Sequence, residues 1–291
     1  MPVAPALDPK TILTTDRLCV RPLSVDGICH IRSLLKRQQV GMSLARFREH
    51  DSKSQFFKMA SGIDDPLEIH DKFSTLFGSM MTDALVDEGA YAYSYDYSIY
   101  EGSLVGDESS VSFDRIPCIV RQGCSSQQIS CGDGATEAIP GVTTSYVYMG
   151  MSASLFGFHD EDMVLYSINY LAQGAFKVWY IVPPSFHDRA LQAFRSDVRR
   201  CNEYEGRTCF ASHMHKDLFL NPDWFSQHGI PVHVLVQKPG QAVVLFPRAL
   251  HQGFNCGENV AIATNFGLPD WLQFGLDALV VSVIIRGCFI H

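Results

Sequence analysis

Several things are scarce in this sequence, and each shortage excludes something. Long apolar runs are missing: the longest late one, Leu279 to Ile285, contains Ser282 and falls far short of the roughly 20 apolar residues that a membrane-spanning helix needs. The first thirty residues scatter Asp8, Lys10, Asp16 and Arg17 among the apolar ones, so they lack the continuous apolar core of a secretory signal. A soluble protein with no membrane partner is expected. Basic residues are outnumbered, 23 Lys and Arg against 31 Asp and Glu for a net charge of −8. That excludes a globally basic nucleic-acid binder and leaves room only for a local patch. No direct sequence-specific nucleic-acid binding is expected, and the acidic balance suits a basic peptide partner. Paired CxxC spacings are also absent. The nine cysteines, an odd number, stand apart at positions 19, 29, 118, 124, 131, 201, 209, 256 and 288, which without a secretory signal reads as reduced thiols in an intracellular protein. Repeats and low-complexity tracts are lacking too.

What remains is an ordinary globular composition over 291 residues, enough for one large domain or two modest ones, and one β-rich domain with extensions is expected. Residues 1–88 read as a largely helical accessory segment. Leu18-Cys19-Val20 is a short strand candidate, while Ile28, Ile31, Leu34 and Leu35 recur at helical spacing, with Lys36 and Arg37 at the far end. Asp51 to Gly62 is polar and reads as loop, and a second helix is expected from Pro66 to about Leu85. From Gly89 the pattern changes: Tyr91, Tyr93, Tyr95 and Tyr97 alternate as on one face of a strand. A Ser-, Gly- and Cys-rich loop from Gly106 to Gly134 follows.

Beyond Pro140-Gly141 come short apolar segments, Tyr146–Met149, Val164–Leu171, Phe176–Val182, Gln241–Phe246 and Val260–Thr264. Short strands in that rhythm suggest a sandwich or barrel in a mainly β fold with a helical N-terminal segment, and a double-stranded β-helix (jelly roll, cupin-like) is the natural host for a metal at its mouth. The rhythm breaks over 184–240, where Phe186–Arg200 reads as an amphipathic helix and Asn221-Pro222-Asp223-Trp224 as another helix start. This is a helical insertion between core strands. The body of the fold is thus expected over 89–278, with 279–291 as a tail.

The stretch with chemistry in it is FGFHDEDMVLYSINYLAQGAFKVWY, Phe156 to Tyr180. His159 and Glu161 stand two apart, so on a strand both side chains share a face, and a histidine from a distant strand, His251, would complete a set of two imidazoles and one carboxylate. Such a set leaves open positions on an ion and suits non-heme Fe(II) working with oxygen. A lone histidine beside acids is otherwise a surface hydrogen-bonding residue. Lys177 lies within the apolar run Ala175-Phe176-Lys177-Val178-Trp179. Buried, it needs an anion, and the far carboxylate of 2-oxoglutarate would serve; alternatively it snorkels to the surface or pairs with a protein carboxylate. Asn169, if on the core face, hydrogen-bonds the same cosubstrate or caps a backbone group.

The run HDEDMVLYSINYLAQGAFKVWYIVPP, with FPRALHQGFNCGENVAIATNF around the second histidine, resembles the Jumonji-C (JmjC) domain, and in particular the JmjN/JmjC trimethyl-lysine histone demethylases. The similarity covers about residues 90 to 278 and is dense over 141–184 and 239–275. It implies that 89–278 is catalytic, that His159, Glu161 and His251 hold Fe(II), and that Lys177 and Asn169 bind 2-oxoglutarate. A tyrosine ahead of Ser98-Ile99-Tyr100, Tyr91 or alternatively Tyr93, would bind it too. By the same resemblance Gly141, Tyr146 and Tyr148 line a methyl-ammonium pocket, with Asn265 beside it. The implied protein is a nuclear Fe(II), 2-oxoglutarate and O2-dependent dioxygenase that demethylates a histone H3 tail on chromatin, the alternatives being a JmjC protein hydroxylase or an inactive chromatin-binding module. An oxygen and tyrosine-hydroxyl cage suits a large, weakly hydrated ammonium.

The resemblance breaks in two places. Cys209 and His215 stand at the spacing of half a structural zinc site, but Val281 and Val283 fall where a Cys-x-Cys pair would finish it, and zinc takes four ligands. Either Cys288 and Cys201 help by a rearranged chain, or the site is lost, or the last dozen residues belong to a truncated or altered end; the plain alternative is that Cys209 is a small buried hydrophobe. The amino-terminal section also carries no recognisable JmjN segment.

Overall fold

A computed structural model describes residues 12–33, 40–53, 55–60, 62–63, 65–82, 92–97, 116–120, 145–276 and 278. Two antiparallel sheets organise them. The larger has strands β1 (Ile12–Pro22), β2 (Ile28–Ser33), β3 (Val40–Ser43), β4 (Ala92–Tyr97), β5 (Tyr146–Gly150), β7 (Tyr166–Gly174), β9 (Leu218–Leu220), β11 (Ala242–Leu245) and β13 (Asn259–Phe266), in the order β11-β7-β13-β5-β4-β1-β2-β9 with β3 on β1. The smaller runs β10 (His233–Gln237), β8 (Lys177–Ile181), β12 (His251–Asn255) and β6 (Leu155–His159). Against the first four strands of the larger sheet, these make the jelly-roll frame that the strand rhythm predicted.

Between the two sheets lies an apolar layer of Trp179, Val243, Leu245 and Ala249, with Phe156 and Ile181 packed on it. Alternation assigns the remaining residues to faces. On β7, Ile168 and Tyr170 turn outward onto Leu44 and Phe47 of helix α1 (Leu44–Lys53), so Ser167, Asn169 and Leu171 turn inward. The register carries that inward face across the sheet, pairing Asn265 with Ser167, Ala263 with Asn169 and Ala261 with Tyr148.

The insertion is as expected in outline. After Pro184 a 3-10 turn leads into helix α4 (His187–Val198), whose Ala190, Leu191, Phe194 and Val198 recur at helical spacing. They bury themselves against Phe158 and Val182 on the outer face of the smaller sheet, together with Trp224 and Phe225 of helix α5 (Pro222–Gln227). Asn221 caps α5 by accepting from the Asp223 backbone N–H at 2.9 Å, with Pro222 at the first helical position. Close approach explains Gly157: a Cβ there would stand 2.2 Å from the Lys216 carbonyl oxygen, so only glycine lets β6 run this near the insertion.

The N-terminal segment departs from the sequence reading. Helix α3 (Pro66–Thr82) matches, but Ile28–Ser33, expected to open a helix, is strand β2, hydrogen-bonded between β1 and β9. Ile28, Cys29 and Ile31 are buried, and so few apolar positions fit either period; pairing on both edges decides for strand. Asp51–Gly62, expected as loop, holds the end of α1 and helix α2 (Gln55–Ala60). Here Asp51, 3% exposed, accepts from the Ser152 N–H at 2.7 Å and the Glu258 N–H at 3.1 Å, so an apparently polar loop residue is a buried clamp. Tyr91, Gly141, the Gly106–Gly134 loop, Leu34, Leu35, Cys288 and the 279–291 tail lie wholly or almost wholly outside the described residues. Among those described, no helix is long and apolar enough to cross a membrane, and Cys29, Cys118, Cys201, Cys209 and Cys256 form no disulfide.

Candidate metal centre

His159 ends β6 and His251 begins β12, and the antiparallel pairing sets the two directly opposite each other. Their rings stand 4.2 Å apart between centroids. Glu161 lies just past the strand end, not on the strand itself, but its backbone remains extended at φ −73° and ψ 149°, so the two-residue spacing still returns its side chain to the face of His159. Its Oε1 comes within 3.6 Å of His251 Nε2. One donor atom from each of the three residues lies within 4.8 Å of the others.

The outer hydrogen bonds fix which atoms face that point. His159 Nδ1 is 2.7 Å from the Gly157 carbonyl oxygen and His251 Nδ1 is 2.9 Å from that of Ala249. A carbonyl only accepts, so each Nδ1 carries the proton and each Nε2 offers a lone pair inward. Asn265 Nδ2 donates to Glu161 Oε2 at 2.9 Å, leaving Oε1 free. Charge states agree with this. Burial, reinforced by the neighbouring His251 and Lys216 charges, drives the His159 imidazolium down to about 3. His251 is lowered by burial as well, against the pull of Glu161. Burial alone would raise the Glu161 carboxyl, but His251, His159 and the Asn265 hydrogen bond outweigh it and hold it low. Near neutral pH the site therefore presents two neutral imidazoles and one carboxylate, the form a divalent metal requires.

The other expected residues distribute around this point. Lys177 is 5% exposed, with its Nζ 5.6 Å from the centre of the Phe156 ring and 5.8 Å from that of Trp179. Both rings also pack against His251, so the ammonium and the metal ligands share the interior. Lys177 does not snorkel outward. Asn169 faces the same interior from β7, and its buried Oδ1 has no hydrogen-bond partner among the described residues. Its carbonyl is tied through Gln237 to the Trp179 indole, by Nε2 to Asn169 O at 2.9 Å and Trp179 Nε1 to Gln237 Oε1 at 2.9 Å. Tyr148 and the Tyr146 position lie on β5 opposite Ala261 and Ala263, and Asn265, expected beside the substrate, touches Glu161.

One group escaped the sequence reading. The Asp160 carboxylate, between two of the ligands, is met by His187 Nε2 at 3.0 Å and His213 Nε2 at 3.3 Å. It is 3% exposed; burial would raise it, but the two histidines hold it below the usual carboxylate range. Asp160 thus anchors the first residue of α4 and the turn Ser212–His215 beside the metal centre. An acid flanked by ligands was visible in the sequence; its partners, far along the chain, were not.

The described residues add nothing to the half zinc site. His215 Nδ1 lies 3.1 Å from the Tyr204 hydroxyl, Cys201 is buried in the apolar cluster of α4, and among the described residues no third ligand joins Cys209 and His215.

Residues 146–266 match the family model for the JmjC domain, described as a hydroxylase. Over that span the chain is similar to a JmjC domain. The triad and the inward face of β5, β7 and β13 all lie within that span. Curated relatives match it too. The chain is 41% identical over 137 residues to a probable lysine-specific demethylase 4F of Homo sapiens, covering 47% of this chain and 21% of that protein. It is 43% identical over 153 residues to lysine-specific demethylase REF6 of Arabidopsis thaliana, covering 52% and 11%, and 41% identical over 139 residues to lysine-specific demethylase 4D of Rattus norvegicus, covering 47% and 26%. The matched part of this chain thus spans about a quarter or less of each relative's own length, and the likeness is that of the JmjC domain.

Proposed function

We propose that this chain is a dioxygenase using Fe(II), 2-oxoglutarate and O2 to remove methyl groups from a methylated lysine of a histone H3 tail, acting on chromatin in the nucleus. The observation that carries the reading is the His159–Glu161–His251 set, with tautomers and charge states prepared for a divalent metal. Two nitrogens and one carboxylate suit non-heme iron and leave coordination positions for a cosubstrate and oxygen. Iron held there supplies the oxidising chemistry that hydroxylates an N-methyl group, after which the hemiaminal releases formaldehyde.

The chain's own residues bind and orient. The buried Lys177 ammonium offers the counter-charge for the far carboxylate of 2-oxoglutarate. The Asn169 amide, whose oxygen has no partner among the described residues, can be turned to present its NH2 to the same molecule. Tyr91 is assigned beside them. Trp179, Phe156 and Ile181 surround this part of the interior with apolar surface, which excludes water and strengthens the charge pairing. Gly141, Tyr146 and Tyr148 are assigned to the methyl-ammonium side, where diffuse negative potential favours a quaternary cation. Asn265 holds Glu161 at the border of the two. The net charge of −8 favours approach of a basic tail over binding to DNA.

The test is to incubate the protein with Fe(II), 2-oxoglutarate and methylated H3 peptides and weigh the peptides, with His159→Ala as the control. Loss of methyl groups, absent in the control, is expected. A gained oxygen with the methyls intact would reassign the chain as a protein hydroxylase, and no change with folded protein would leave a binding module.

A further inference from the structure

The backbone just past Glu161 adopts a conformation its residues disfavour. Met163 (φ 56°, ψ 20°) and Val164 (φ 55°) are both left-handed. For a side chain branched at Cβ, such as Val164, this region is a steric outlier. Two such residues in succession, two and three positions from a metal ligand, persist only if their surroundings hold them there.

The holding contacts are on the page. Inside the turn, Val164 N–H donates to the Glu161 carbonyl at 2.8 Å and Leu165 N–H to that of Asp162 at 3.2 Å. From outside, the Trp271 indole Nε1 donates to the Met163 carbonyl at 3.0 Å. Trp271 belongs to the 3-10 turn Pro269–Trp271, beyond residue 266 where the JmjC match ends. It is 6% exposed and packs with Leu165, Tyr166, Phe266 and Cys118. Gly275 closes over it, since a Cβ there would fall 2.4 Å from the indole ring. A neighbouring bond joins the same two segments: the Tyr166 hydroxyl donates to Asp270 at 2.7 Å. Downstream of the turn, Leu165 is fully buried; upstream, Glu161 is fixed by Asn265.

We infer that Trp271 is a positioning residue for Glu161: by gripping the Met163 carbonyl it keeps the 161–165 turn left-handed, and so keeps the carboxylate aimed at the two histidines. The inference rests on the proposed metal centre. Without the indole donor the turn relaxes toward right-handed or extended backbone, and Glu161 swings away from His251.

Co(II) alone is the probe, titrated into metal-free protein and read by visible absorption, with the melting temperature recorded for each variant. Trp271→Phe keeps an aromatic ring in the pocket and removes only the donor. It is expected to weaken Co(II) about tenfold or more, the usual cost of removing a group that orients a ligand. Val164→Gly alone is expected to bind within about threefold of the wild type, because glycine takes positive φ without strain. The double variant separates positioning from packing: with the strain at the β-branched Val164 removed and only that of Met163 left, it should regain most of the lost affinity. A double variant as weak as Trp271→Phe, or a Trp271→Phe variant that binds like the wild type, would overturn the inference. Amide exchange of unsubstituted, metal-free protein gives a second reading. Protection at Val164 and Leu165 is expected, and exchange at open-loop rates would contradict a turn already held. If the wild type takes no Co(II) at all, the metal-centre reading fails first, a result distinct from all of these.

Discussion

Lys177 was the most informative single residue outside the triad, because an ammonium in an apolar strand demands an explanation. In the fold it is buried beside Phe156 and Trp179 on the side of His251. Lys177→Ala is therefore expected to weaken 2-oxoglutarate by roughly 2–5 kcal/mol, as when one partner of a desolvated charge pair is removed, with the metal affinity nearly unchanged. Calorimetric titration of the iron-loaded protein measures both, and unaltered 2-oxoglutarate affinity would exclude the pairing. Sequence alone could name Lys177 since its cost of burial is a property of the residue. It could not name Asp160's partners, since His187 and His213 reach it only through the path of the insertion.

Elements show the same division. The core strands were legible because their apolar stretches are short, regularly spaced and rich in β-branched and aromatic residues. Helices α1 and α2 were missed since Asp51–Gly62 carries charges a solvated loop would also carry. What stabilises α1 is tertiary: its Leu44 and Phe47 pack on β5, β7 and β13, and Asp51 closes the contact by accepting two backbone N–H groups. Asp51→Ala leaves both donors without that acceptor, and a loss of about 2–6 kcal/mol is expected, at about 1–3 kcal/mol for each group stranded. Urea unfolding of the metal-free protein measures it; a change below about 0.5 kcal/mol, the scatter of surface substitutions, would show that α1 does not brace the sheet.

At the scale of the whole molecule, the metal centre should make stability depend on pH even without metal. His159 sits at about 3 in the fold, held there by burial first, against an ordinary value of 6.5. Between those values the unfolded chain binds the proton more readily, so stability falls as pH drops. Two carboxyls act in the same direction. Burial would raise both, but histidines hold Asp160 and, with Asn265, Glu161 low, so their contribution is present above the unfolded carboxylate range and is lost as pH falls below it through the lower folded values. The melting temperature of the metal-free protein is expected to drop from pH 7 to pH 4, values set by the histidine and carboxylate ranges at about 6.5 and about 4. His159→Gln should flatten the upper part of that curve, and an equally steep curve in the variant would show that the imidazole is not the group responsible.

By itself the sequence determined the strand rhythm, the three ligand types and their spacing, and the buried lysine, because each follows from local chemistry: side-chain period, donor atoms, the cost of desolvating a charge. The tertiary structure alone decided that His251 stands opposite His159, that Asp51 and Asp160 are clamps and not solvated acids, and that Ile28–Ser33 pairs as a strand. It also placed Trp271 on the carbonyl of Met163. Those outcomes depend on which distant backbone and side-chain groups come within hydrogen-bonding reach, and that is set by the path of the whole chain.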